Sequence, residues 1–180
     1  MSAERSAGAG RTAMLIAFGC HNAEEIAFSD HGSRLDPRFL ANLGLSEEDY
    51  RADRMSIATA LLSAVVTCAT HSRGGRARRP ITAAIAIASA GALSVNAAGH
   101  LLQALVRRNY NPGLVTAPLL LMSSIAAIRG FRADSSISRV GAGTAVVAGT
   151  ALSVPAIVAS LRIARLVRPT TIQTRKESSQ

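Results

Sequence analysis

Two short groups of polar side chains interrupt long apolar stretches of the sequence. The first group contains His21, Glu24 and Glu25, and the second contains Asn96 and His100. On a helix, residues three and four positions apart share a face, so each group presents its side chains to one side. Ionisable groups at membrane depth cost several kcal/mol and usually mark functional sites. The spacing therefore predicts one polar site built from two helices.

Two kinds of chemistry suit this set of side chains. His21, Glu24, Glu25 and His100 are candidate ligands of a divalent metal such as zinc, iron or manganese. Without a metal, two neighbouring carboxylates and two imidazoles, with Asn96, are candidate catalytic groups for acid–base chemistry. A buried hydrogen-bond network that only specifies helix packing, or a proton pathway, would use the same residue types.

The elements that carry these groups read as membrane-spanning helices. The chain is predicted to be an all-α integral membrane bundle of about five transmembrane helices. Residues 1–168 form one domain, and 169–180 form a polar tail that we expect to be disordered. Gly141, Ala145 and Gly149 place small residues four apart, which is typical of a helix packing face. The predicted spans are residues 12–28, 55–70, 81–106, 114–128 and 140–161.

Composition and charge favour a membrane location over a soluble fold. Hydrophobic residues make up 48% of the chain, but aromatic residues make up only 3%. The net charge of +9 comes mostly from arginines clustered between apolar runs. That pattern suits membrane topology and contact with lipid headgroups, and we expect no nucleic-acid binding. We expect a multi-pass protein of the cell membrane, in which Cys20 and Cys68 are small buried side chains.

The two polar groups are also matched in depth. Glu24 and Glu25 lie roughly 19 Å into the first span, and Asn96 and His100 lie roughly 23 to 28 Å into the third. The first and third spans run in the same direction if the second returns. Both groups therefore lie toward the same side, and the linker 109–113 emerges there and is predicted to form a lid.

The motifs resemble those of the HXXEE-motif family of membrane proteins. His21, Glu24 and Glu25 match the motif that gives the family its name, and Asn96 and His100 match its Asn-x-x-x-His motif. The third motif of the resemblance is a Tyr-x-Pro-Gly with a following Thr, at Tyr110, Pro112, Gly113 and Thr116. The resemblance covers residues 12 to 120. It implies a small multi-span protein and supports the site, but it does not specify a reaction.

The sequence thus predicts a small membrane enzyme of unknown substrate that uses metal-assisted or acid–base chemistry. One alternative is an epimerase or dehydratase component in the maturation of linaridin-type ribosomal peptides. Others are a proton- or ion-coupled transporter and a non-catalytic membrane subunit. A homo-oligomer or a partner membrane subunit would be compatible with each of these functions. Membrane lipid is an expected partner in all of them.

Overall fold

The computed structural model describes residues 2–29, 37–71 and 80–169. These residues form six α-helices and one short 3₁₀ helix at Glu47–Tyr50, and no β-strand, so the all-α class is confirmed. The predicted tail lies outside the described residues, except for Pro169. The helices are α1 (Ser2–Ala27), α2 (Pro37–Asn42), α3 (Ala52–Thr70), α4 (Pro80–Arg107), α5 (Ala117–Ala133) and α6 (Arg139–Val167).

The five long helices pack around one another as a bundle. Helix α5 lies against both α1 and α4, and α6 lies against both α4 and α3. Helix α3 completes the bundle by contacting α1 and α4. Because α5 lies against both α1 and α4, its N-terminal end meets the two helices that carry the predicted site.

Small residues allow the helix backbones to come close together. The buried core is rich in alanine, including Ala86, Ala90 and Ala145. A Cβ atom on Gly149 of α6 would overlap the backbone carbonyl group of Ala88 on α4. Close approach through small residues is the usual way that helices pack in lipid. The predicted packing face of α6 therefore lies against α4 at Gly149.

Replacing Gly149 with alanine should destabilise the bundle, because the new methyl group overlaps the backbone of α4. Overpacking of this kind typically costs about 1–3 kcal/mol. Gly143 of the same helix is the matched control, because a methyl group there would meet no atom within 4 Å. Thermal unfolding in detergent should show a lower midpoint for Gly149→Ala, whereas the midpoint of Gly143→Ala should be unchanged or slightly raised, because alanine favours a helix more than glycine does. Equal midpoints would contradict the close α4–α6 contact.

The outer surface of the bundle is apolar on all five long helices. Large exposed side chains include Ile16, Val65, Ile81, Met122 and Val147, one from each helix. Three helices, α3, α4 and α6, are long and apolar enough to cross a membrane. Apolar exposure on this scale marks a surface that meets lipid or another protein. These features indicate membrane association.

Several details differ from the sequence prediction. Cys20 and Cys68 are exposed on the outside of the bundle, so the prediction that they are buried was wrong. The fourth apolar stretch was predicted to be helical from residue 114, but α5 begins at Ala117. Pro118 therefore lies in the first turn, where the missing N–H has no helical partner to lose. Pro155 lies inside α6, within the fifth predicted span of residues 140–161.

The buried carboxylate of Asp49 connects the segment before α3 to the end of α6 through hydrogen bonds and ion pairs. Asp49 is fully buried, and its Oδ1 atom accepts hydrogen bonds from Arg54 and from Arg165 at 2.8 Å each. Its Oδ2 atom accepts from the backbone and hydroxyl of Ser46 and from Arg165. Burial alone would raise the pKa of Asp49, but the hydrogen bonds from Arg165 and Ser46 lower it.

Asp49→Asn should therefore destabilise this end of the bundle, because it leaves two guanidinium groups without their shared anion. Losing one partner of a buried ion pair costs about 3–5 kcal/mol. Since the pKa of Asp49 is lowered on folding, its contribution is present above the ordinary value of 3.8 and is lost as the pH falls through the folded value. Unfolding of Asp49→Asn in detergent at neutral pH should occur at a lower temperature than that of wild type. Exposed Asp53→Asn is the matched control, and an equal loss in both variants would contradict this role.

Candidate functional site

The five residues that the sequence predicted as a site lie together at one end of the bundle. Asn96 Nδ2 is 3.1 Å from His21 Nε2, and His100 Nε2 is 3.2 Å from Glu25 Oε1. The rings of His21 and His100 meet edge to face, with centroids 4.8 Å apart. Residues 109–116, which we call the strap, connect α4 to α5 and contact this cluster.

Glu24 holds the strap. Its Oε1 atom accepts a hydrogen bond from the Tyr110 hydroxyl at 2.8 Å and from the backbone N–H of Val115 at 3.1 Å. Its Oε2 atom accepts from the backbone N–H of Thr116 at 2.9 Å and from the Thr116 hydroxyl at 2.7 Å. Thr116 is the N-cap of α5, where unpaired N–H groups favour an anion. Both carboxylate oxygens of Glu24 are therefore committed to the strap.

The hydrogen bonds of His21 determine which ring nitrogen carries the proton. The Thr116 hydroxyl lies 2.7 Å from the charged Glu24 carboxylate and 3.3 Å from the carbonyl oxygen of Gly113, so its single proton is assigned to Glu24. Thr116 Oγ1 then accepts from His21 Nδ1–H at 3.0 Å. His21 Nε2 is then left with a lone pair, which accepts a hydrogen bond from the Asn96 amide. Glu24 thus orients His21 through Thr116, in the way that a carboxylate orients a metal-binding histidine.

His100 is oriented in the same way by Asn111. The Asn111 amide donates to the carbonyl oxygen of His100 at 3.1 Å, which fixes its other end as an acceptor. His100 Nδ1–H therefore donates to Asn111 Oδ1 at 2.7 Å. His100 Nε2 then points to Glu25 Oε1, and those two atoms must share a proton or a cation. Glu25 is also 3.8 Å from His21 Nε2.

The strap passes directly over the two imidazole rings at Gly113. Its φ angle is +92°, and a Cβ atom there would lie 2.6 Å from His21 Cε1 and 3.1 Å from His100 Cε1. Only glycine combines this backbone conformation with so close an approach.

The resemblance included Tyr110, Gly113 and Thr116, but the sequence prediction assigned no role to Asn111. A polar residue inside the Tyr-x-Pro-Gly motif was the available signal.

Three of the four predicted metal ligands lie close enough together to hold a metal ion. Ligand atoms of His21, Glu25 and His100 all lie within 4.8 Å of one another, whereas Glu24 faces the strap. Metal bonds near 2.0–2.2 Å in a tetrahedral site put ligand atoms about 3.3 Å apart. Glu25 Oε1 lies 3.8 Å from His21 Nε2 and 3.2 Å from His100 Nε2, near that value, while the three ligand atoms together lie within 4.8 Å of one another. Two imidazoles and a carboxylate are a common set for catalytic zinc and for non-haem iron.

Gly113→Ala should destabilise the protein and separate the two histidines, because the methyl group would overlap the His21 ring in a backbone conformation that alanine avoids. We expect a loss of about 1–3 kcal/mol. Gly99 is the matched control, because it precedes His100 and has open space around it. Gly113→Ala should unfold at a lower temperature than wild type in detergent and should change the ring NMR signals of the histidines, whereas Gly99→Ala should do neither. Unchanged histidine signals in Gly113→Ala would contradict the close packing of the strap.

Together, the helical fold, the three membrane-capable helices and the His/Glu/His cluster define a membrane-associated helical protein with a buried polar site. Residues 12–127 match the family model described as a protein of unknown function with an HXXEE motif. The chain belongs to this family. Neither the curated proteins nor the solved structures include one that matches the chain.

Proposed function

We propose that the protein is a multi-pass enzyme of the cell membrane in which all five long helices cross the bilayer. Helix α5 has 17 residues and is therefore about 26 Å long at 1.5 Å per residue. This length crosses a thin bilayer directly, and it crosses a thicker one with a modest hydrophobic mismatch. The apolar part of α1 packs along α5. Glu24, near the end of α1, accepts four hydrogen bonds. Exposed apolar side chains on both helices support contact with lipid.

The site of this enzyme binds a divalent metal through His21 Nε2, His100 Nε2 and Glu25. The observation that carries this proposal is that each histidine donates Nδ1–H to a fixed partner, Thr116 or Asn111. The two Nε2 lone pairs are thereby directed to the same small region as Glu25 Oε1. Partners of this kind fix the tautomer and orientation of metal-binding histidines. Zinc, iron and manganese all accept such a ligand set.

Two of the predicted residues then act on the metal site indirectly. Metal binding must displace the hydrogen bond from Asn96 to His21 Nε2, which releases the Asn96 amide to contact a substrate. Glu24 keeps its four hydrogen bonds and holds the strap and His21 in place. A metal held by these three ligands would leave a position open to substrate or water, and it would supply Lewis-acid chemistry there.

A metal-free acid–base enzyme is the second candidate, and the Glu25–His100 pair favours it. His100 Nδ1–H is committed to Asn111, so one proton between Nε2 and Glu25 Oε1 satisfies both atoms across 3.2 Å. Such a pair can take a proton from a substrate and return it, with His21 close by. This chemistry suits proton abstraction alpha to a carbonyl, as in an epimerase or an eliminating enzyme.

Metal analysis of the purified protein tests the first proposal against the second. We expect wild-type protein in detergent to retain about one zinc, iron or manganese ion per chain after dialysis. His100→Ala and Glu25→Gln should lose the ion, because each removes one of three ligands. His71→Ala is the matched control, since His71 is exposed at the end of α3.

The outcomes separate the two candidates. Wild-type protein that holds none of these metals, even when they are supplied, would contradict the metal proposal. If Glu25→Gln then also fails to complement a deletion strain, acid–base chemistry accounts for the site. A fully active Glu25→Gln protein would contradict both candidates.

A further inference from the structure

A cleft between the end of α4 and the strap lies beside the site, and the site chemistry described above does not use it. It has a volume of about 300 Å³ and is lined by Gln103, Arg107, Asn109, Tyr110 and Asn111. All five lining residues are polar, and Arg107 is the one ionised side chain among them. The cleft is formed by the last turns of α4 and the beginning of the strap.

Two residues connect this cleft to the site. Asn111 lines the cleft and accepts a hydrogen bond from His100 at 2.7 Å. Tyr110 lines it as well and donates to Glu24 at 2.8 Å. A molecule in the cleft would therefore touch the same strap residues that orient His100 and hold the strap on α1.

The charge in the cleft indicates what it would bind. The last carbonyl groups of α4 carry partial negative charge, which Arg107 in the last turn offsets. The guanidinium fork matches the oxygen pairs of a phosphate or a carboxylate. The amides of Gln103 and Asn109 can donate further hydrogen bonds, whereas the single hydroxyl proton of Tyr110 is already donated to Glu24. No carboxylate of the described residues lines the cleft to oppose an anion.

We infer that this cleft is a binding subsite for an oxyanion, and that Arg107 holds the acidic group of the substrate there while its reacting part lies at the triad of His21, Glu25 and His100. The inference rests on the proposed function in that the triad is taken to be the reacting centre. The oxyanion is either part of a free metabolite or the headgroup of a lipid.

The tyrosine content of the chain provides a direct measurement. The protein has two tyrosines and no tryptophan, so Tyr50→Phe leaves Tyr110 in the cleft as the only tyrosine. Inorganic phosphate titrated into Tyr50→Phe protein in detergent should change the Tyr110 fluorescence in a saturable way. Nanodiscs with phosphatidic acid, compared with phosphatidylcholine alone, test the lipid source with the same signal.

Arg107→Gln in the Tyr50→Phe background should raise the apparent Kd of the saturable response at least about tenfold, because it removes one charge-assisted hydrogen-bond pair. Arg108→Gln is the matched control, because Arg108 is exposed and adjacent but does not line the cleft. Collisional quenching by phosphate does not saturate and is common to all variants. Saturation with phosphate supports a free oxyanion, and saturation with phosphatidic acid alone supports a lipid headgroup.

The inference is overturned if neither probe gives a saturable response, or if Arg107→Gln binds as tightly as Arg108→Gln. Phosphate titration of Glu25→Gln protein, taken together with the metal content of wild-type protein and the activity of Glu25→Gln, separates this inference from the proposed function. If phosphate still saturates the cleft while wild-type protein holds no metal and Glu25→Gln remains active, the proposed function fails and the subsite stands. If metal is bound but the cleft does not respond, the subsite alone fails.

Discussion

The arrangement of the site depends on the four hydrogen bonds that the Glu24 carboxylate accepts from the strap and the N-terminus of α5. Charge-assisted hydrogen bonds are about twice as strong as neutral ones, and more so where water is excluded. Through them, α1 fixes the position of Thr116, and Thr116 in turn orients His21. The same segment places Gly113 over both histidine rings and Asn111 against His100. One carboxylate thus determines the geometry of groups from α1, α4 and the strap.

Glu24 and Glu25 are adjacent in sequence, but their surroundings give them different roles. Glu24 meets four donors, whereas Glu25 faces the Nε2 atoms of two histidines and is about one-fifth exposed. Neighbouring carboxylates in contrasting environments are a recurrent arrangement in enzymes, because one can remain a fixed anion while the other exchanges protons or binds a ligand. The HXXEE spacing achieves this since consecutive residues on a helix point about 100° apart.

The sequence predicted the helices and the meeting of the two motifs, because helical spacing and depth are local properties. The division of labour within the site was not predictable. Glu24 and Glu25 are chemically identical, and their roles follow from where the strap donors lie in three dimensions. Asn111 was missed for the same reason: its partner is His100 on α4, and the two meet only through the path that the strap takes in three dimensions. Cys20 and Cys68 were misjudged because an apolar run does not reveal which side of the helix faces outward.

The close packing of α4 with α6 matters to the site as well as to the bundle. Gly149 lets α6 lie close against α4 at Ala88. Asn96 and His100 lie further along α4, nearer the strap. Apolar helices in lipid gain little from the hydrophobic effect on association, so close backbone contact must hold α4 in place. A polar site at the end of such a helix would otherwise reorient with it. The small residues of α6 therefore support a site that none of them touches.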